Sequence, residues 1–122
     1  MNQQQVIDEA RPMLTEILGQ IGLLREGATL DFEALLSPFS IWAQTQDVGD
    51  ADFAFFVSLV GAFISEYLVD RHGASVFSDG QTIRVRIPFE QGITREFDPY
   101  ATASGLVRSK QSLADFIANV RS

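Results

Sequence analysis

The chain has 122 residues, of which 46 % are apolar and ten are phenylalanine, a size and composition typical of one folded domain rather than a disordered chain. The absence of cysteine excludes disulfides, thiolate metal sites and cysteine nucleophiles, and it fits a reducing compartment. The net charge of −7 disfavours nucleic-acid binding, because a phosphate backbone repels an acidic protein. With no signal-peptide pattern and no uninterrupted apolar stretch of membrane-spanning length, we expect a cytoplasmic protein that binds no membrane.

Charge is distributed unevenly along the chain. Residues 1–70 contain 11 acidic and 2 basic residues, a net charge of −9. Residues 71–122 contain 5 acidic and 7 basic residues, a net charge of +2. We therefore expect an acidic, mostly helical layer from the first part and a mildly basic sheet edge from the second.

The first segment, Gln3 to about Gly19, is predicted to form an amphipathic helix, because its apolar residues recur at steps of three and four. Pro12 lies inside this segment and predicts a kink or a frayed first half. Asp31 is a candidate cap for a short helix over residues 32–36. Ser37-Pro38 then predicts the start of a separate helix, with serine as the cap and proline in the first helical position.

The strongest pattern belongs to a long helix that begins after Asp50 or Asp52 and ends near Gly73. Residues 53–64 are apolar nearly all round, which predicts a helix buried in the core or at an interface. Basic residues in its last turn and a glycine just past its end are typical of a helix C-terminus.

Three short strands are predicted after the long helix, over residues 74–77, 82–87 and 93–97. Asp79-Gly80 marks a tight turn between the first two strands, and the second strand alternates strictly between apolar and polar residues. These features predict a three-stranded antiparallel meander.

Two C-terminal helix starts follow, at Asp98-Pro99 and at Ser112. The predicted fold class is therefore α+β, in which a three-stranded antiparallel meander packs against a long buried helix. N-terminal helices and one or two C-terminal helices complete a single domain over residues 1–122.

The order of these features resembles small bacterial domains of unknown function. In such domains a long helix ending in a Glu-Tyr-Leu-like turn, here Glu66-Tyr67-Leu68, leads into a hairpin and then into a helix starting Asp-Pro-aromatic, here Asp98-Pro99-Tyr100. The resemblance covers about residues 60–121. It implies the fold order and no catalytic residues, because these families have no established activity.

Arginines in the predicted sheet are candidate binding residues. Arg84 and Arg86 share one face of their strand, and aligning the apolar faces places Glu96 opposite them. Either a cross-strand ion pair or a site for an anion or acidic partner explains this pattern. Arg95 falls on the apolar face, where it either lies at the sheet edge or reaches an acidic residue of the helical layer.

Aromatic residues form a second candidate site. Trp42, Phe39 and Tyr100 either form an exposed aromatic patch, of the kind that dominates protein interfaces, or pack into the core. The carboxylates of Asp47, Asp50 and Asp52 either cap a helix or form a calcium loop, although their spacing is not that of an EF-hand.

A serine nucleophile needs a base and an orienting group, and the single histidine, His72, leaves almost no room for such a triad. We therefore expect no catalytic residues, no metal and no cofactor. Three functions stay open. The first is a non-enzymatic, immunity-type or chaperone-type adaptor that binds a protein partner, basic by charge complementarity, through its acidic helical surface. The second is a small-ligand domain with a Phe-lined pocket between the long helix and the sheet, anchored by Arg84 or Arg95. The third is a carboxylate-dependent enzyme. Separately, a homodimer is compatible with the excess apolar surface of the long helix.

Overall fold

The chain folds into five α-helices and one antiparallel sheet, described for residues 2–120 by a computed structural model. This confirms the α+β fold, in which the long helix packs on the sheet. In chain order the elements are α1 (Gln3–Gln20), α2 (Phe32–Thr45), α3 (Phe53–His72), β1 (Ser75–Ser78), β2 (Ile83–Pro88), a 3₁₀ turn (Glu90–Gly92), β3 (Thr94–Phe97), α4 (Pro99–Ser109) and α5 (Leu113–Asn119).

Helix α3 is the centre of the core. It contacts α1, α2 and α4 as well as strands β1 and β2. Between Leu59 and Leu68 all residues except Glu66 are buried, as the apolar sequence pattern predicts. The helix ends where Gly73 adopts a left-handed backbone conformation with φ of 65°, which glycine reaches without the strain that a Cβ atom causes.

The sheet has the predicted meander order β1-β2-β3, and its strand bounds lie within one residue of the predicted ones. In β2 the side chains of Ile83, Val85 and Ile87 are buried, and those of Arg84 and Arg86 lie on the other face. The period of two along a strand causes this separation, because successive side chains point to opposite faces. The buried face lies under the helices α3 and α4.

The predicted helix break at Ser37-Pro38 is wrong, because α2 is one continuous helix from Phe32 to Thr45. Phe32, Leu35 and Phe39 are buried on one side of it. A proline inside a helix costs about 3 kcal/mol, and burying one phenylalanine contributes roughly 1.5–3 kcal/mol. The burial of this face therefore offsets the cost of the proline, whose ring lies on the exposed side.

Helix α1 runs from Gln3 to Gln20 through the exposed Pro12, so its first half is helical and not frayed, while the kink stays a prediction. Its buried residues Ala10, Leu14 and Leu18 follow at steps of four, which keeps one face against the core.

Three of the predicted caps are confirmed. The side chains of Asp31, Asp98 and Ser112 accept hydrogen bonds from backbone N–H groups of the first turns of α2, α4 and α5. These bonds satisfy donors that would otherwise lack a partner within the helix. Asp52 does occupy the N-cap position of α3, but its side chain accepts no capping hydrogen bond.

By length and composition alone, α3 is apolar enough to cross a membrane. However, 56 % of the 18-residue stretch that meets this criterion is buried inside the domain, as is typical of the core helix of a soluble protein. The fold is that of a small soluble α+β domain.

Candidate functional site

The arginines of β2 share one carboxylate. Arg84 Nε lies 3.3 Å from Glu96 Oε1, and Arg86 Nε lies 3.1 Å from Glu96 Oε2. The guanidinium of Arg86 also lies 4.7 Å from the ring centre of Phe77 on β1. The predicted cross-strand ion pair is thus confirmed, and Glu96 neutralises part of the positive charge of this face. A role of these arginines in binding a ligand stays a prediction.

Arg95 lies on β3, the edge strand, and its guanidinium donates a hydrogen bond to the backbone carbonyl of Val120. The same guanidinium lies 5.5 Å from the ring centre of Phe89. Of the two explanations, the sheet edge matches its place in the fold. The contact ties the end of α5 to the sheet.

The three candidate aromatic residues pack within the domain rather than forming one exposed patch. Trp42 stacks between Phe39 and Phe56, at centroid distances of 5.8 and 5.3 Å. Tyr100 lies on α4, where its ring packs directly on the backbone of Gly61 in α3. Trp42 and Tyr100 therefore pack on different turns of α3. Their part in binding a partner stays a prediction.

Burial changes the ionisation of Tyr100. Burial, together with the negative charges of Glu66 and Asp98, raises the pKa of Tyr100 to about 12. The ordinary pKa of tyrosine is about 10. A phenol held neutral in the folded state contributes stability below its unfolded pKa and loses this contribution as the pH rises toward the folded pKa.

We therefore expect the free energy of unfolding to fall by about 2 kcal/mol between pH 10 and pH 12 because of this one phenol. Urea unfolding measured across this range should show the fall in the wild type. Tyr100→Phe keeps the ring and should show a smaller fall by about this amount. Equal pH dependence in the two proteins would contradict the assignment.

The acidic residues of α1 lie on its solvent side. Asp8, Glu9 and Glu16 are exposed, opposite the buried face of the helix. Their side-chain hydrogen bonds come from the neutral glutamines Gln4, Gln5 and Gln20 one turn away. We call these three carboxylates the α1 acidic face; among residues 2–120 no basic group lies within 4.0 Å of any of them.

Elsewhere in the helical part, two carboxylates form ion pairs. Glu66 Oε2 lies 3.2 Å from Arg11 Nη2, and Glu33 Oε2 lies 2.9 Å from Arg71 Nη2. Within residues 2–120 no other carboxylate before residue 71 has a basic group within 4.0 Å. The net negative charge predicted for residues 1–70 is thus displayed at the surface of the helical layer.

A cleft of about 410 Å³ opens between the α2–α3 loop and the C-terminal end of α4. Asp47 and Asp50 line it from the loop, and Arg108 and Lys110 line it from the end of α4. Across residues 2–120 the structure groups no three His, Asp or Glu side chains at metal-binding distance, the loop carboxylates included. The pocket predicted between the long helix and the sheet stays a prediction, and this cleft is a different one.

Sequence reasoning missed this cleft, because its two charged walls are about 60 residues apart in the chain. One feature of the sequence points to a residue of this cleft. Lys110 is the single lysine of the chain, and it follows a predicted helix where a glycine is the usual end residue.

No family model, curated protein or solved structure matches this chain.

Proposed function

We propose that this protein is a cytoplasmic, non-enzymatic interaction domain that binds a basic protein partner through the α1 acidic face. One observation carries the proposal: within residues 2–120, three exposed carboxylates on one helix have neutral glutamines, and no basic groups, as their hydrogen-bond partners. A surface of this kind attracts a positive patch on a partner and raises its rate of encounter.

The position of the α1 acidic face supports this role. Helix α1 packs on α3 and β1 through its apolar side, so the carboxylates point away from the core. Their removal should therefore leave the fold intact. The basic residue nearest in sequence, Arg11, is engaged by Glu66 of α3 and by the ring of Phe32.

The surface of the sheet is less suited to a basic partner. On the sheet, Arg84 and Arg86 already hold the carboxylate of Glu96. A basic protein approaching this face would meet two guanidinium groups and one neutralised carboxylate. The helical side is therefore the favoured docking side.

The test is capture of partners from a lysate of the native organism at low salt, followed by elution in a salt gradient. We expect one basic protein to bind the wild type and to leave at moderate salt, because ions screen exposed charges over about 8 Å at physiological ionic strength. The triple variant Asp8→Asn, Glu9→Gln, Glu16→Gln should lose at least about tenfold in association rate with this partner at low salt.

A matched control removes the same charge elsewhere: Glu26→Gln, Asp70→Asn, Glu90→Gln, all three exposed. This control should bind the partner almost as the wild type does, with its secondary structure checked by circular dichroism. Equal loss in both triple variants would show a general field effect rather than a docking face. Unchanged binding by the α1 variant, or no captured protein at all, would overturn the proposal.

A further inference from the structure

The cleft between the α2–α3 loop and α4 has oppositely charged walls. Asp47 and Asp50 stand on the loop wall, and Arg108 and Lys110 on the α4 wall. All four side chains belong to exposed residues, and within residues 2–120 no ion pair closer than 4.0 Å joins one wall to the other. The four charges sum to zero, so neither a simple anion nor a simple cation is favoured. A molecule with a positive and a negative end matches both walls.

Between the charged walls the cleft is lined by apolar side chains together with uncharged polar ones such as Ser40 and Gln111. Val60 of α3, Leu106 of α4 and Leu113 of α5 form its floor, and each is at most 7 % exposed. A concave apolar surface with a few charged groups at its rim is the usual form of a small-molecule site, and the volume of about 410 Å³ lies in the usual range. An apolar side chain of a ligand would pack on this floor.

Two contacts with uncharged residues, Phe53 and Gln44, hold the α4 wall in place. The guanidinium of Arg108 lies 5.1 Å from the ring centre of Phe53, which leaves its in-plane N–H groups to donate to an oxygen. Gln44 of α2 donates a hydrogen bond of 3.0 Å to the backbone carbonyl of Lys110. These contacts hold the Arg108 side chain and the Lys110 backbone in place at the cleft.

Lys110 also has an unusual backbone. Its φ of 52° and ψ of 39° place it in the left-handed region, where the C-terminal residue of a helix is most often glycine. A lysine here has an energetic cost that a glycine avoids. This strained position places a charged side chain at the rim of the cleft.

We infer that this cleft binds a short peptide with free termini and apolar side chains, its ammonium end at Asp47 and Asp50 and its carboxylate end at Arg108 and Lys110. An extended peptide spans about 3.3–3.6 Å per residue. A chain of two to four residues therefore holds its charged ends roughly 7–14 Å apart, as suits two walls that no ion pair joins. This site is independent of the α1 acidic face, because no residue of α1 lines the cleft.

The test uses the tripeptide Ala-Phe-Ala in four forms: free, N-acetylated, C-amidated and capped at both ends. Titration followed by calorimetry, and by amide chemical shifts of the cleft residues, gives the Kd of each form. We expect the free form to bind, each single cap to raise the Kd about tenfold, and both caps to abolish binding, since a charge-assisted contact is lost with each.

Variants assign each end to its wall. In Asp47→Asn, Asp50→Asn the free and N-acetylated peptides should bind equally weakly, while Arg108→Gln should remove the preference for a free carboxylate. Lys110→Gly is the most specific variant. We expect it to raise the Tm, because glycine suits the left-handed backbone, while it weakens binding of the free tripeptide several-fold.

Arg25→Gln and Glu90→Gln, which change exposed charges that do not line the cleft, should bind as the wild type does. The inference is overturned if the free tripeptide shifts no cleft amide at millimolar concentration. It is equally overturned if the doubly capped form binds as well as the free one, because an apolar groove alone would then explain binding. Either failure leaves the α1 proposal intact, since that proposal is tested on a different helix.

Discussion

Replacing Phe63 by alanine is expected to lower the free energy of unfolding by about 3–5 kcal/mol, the largest loss we predict for this protein. The Phe63 ring is fully buried in α3 and lies at the centre of an aromatic cluster. Its centroid is 4.3 Å from that of Phe39, 5.5 Å from that of Phe32 and 6.3 Å from that of Tyr67. Alanine would remove these contacts and leave a cavity between α2 and α3.

Phe55→Ala is the matched control, because it removes the same side chain from the same helix at a position that is 50 % exposed. We expect it to cost less than about 1 kcal/mol, in keeping with its limited burial. Urea unfolding of both variants measures the difference. Phe63→Leu, which keeps most of the volume, provides a measurable value if the alanine variant does not fold. Equal losses at positions 63 and 55 would contradict the assigned core.

Gly61→Ala is expected to destabilise the protein by about 2 kcal/mol, although alanine is normally the better helix residue by about 1 kcal/mol. A Cβ atom built at position 61 would lie 2.4 Å from Cδ1 and 2.7 Å from Cε1 of Tyr100. These distances are far below a van der Waals contact, so the Tyr100 ring and α4 would have to move. The glycine allows α4 to approach the backbone of α3.

Gly105→Ala provides the control. Position 105 lies in helix α4, and a Cβ atom there meets nothing within 4 Å. We expect it to raise the free energy of unfolding by up to about 1 kcal/mol, since only the helix propensity changes. In a Tyr100→Ala background, Gly61→Ala should likewise become stabilising. A double-mutant cycle in urea measures this coupling, and an additive result would show that the ring is not the obstacle.

Much of the fold follows from local patterns. The continuous apolar run of α3, the alternation along β2 and the caps at Asp98 and Ser112 each predicted their element correctly. The pairing of Arg84 and Arg86 with Glu96 was also predicted, because the period of two in a strand fixes which side chains share a face. These features depend on neighbours within one or two elements.

The continuous helix α2 did not follow from local rules. Proline rules favour a break before Pro38, and the burial of Phe32 and Phe39 against Phe63 overrides them. Such burial depends on a helix that lies further along the chain, and local propensity contains no information about it. The same limit applies to Trp42 and Tyr100, whose surroundings depend on which turns of α3 they meet.

By itself, the sequence determined the class of fold, the order and approximate bounds of most elements, and the acidic character of the helical part. Backbone hydrogen bonding, side-chain periodicity and charge count are properties of short segments, so they can be read from the chain directly. Only the tertiary structure decided that Asp47 and Asp50 stand across a cleft from Arg108 and Lys110, and that Gly61 lies beneath Tyr100. Contacts between distant segments arise from how whole helices pack, and that packing is set by all buried side chains together.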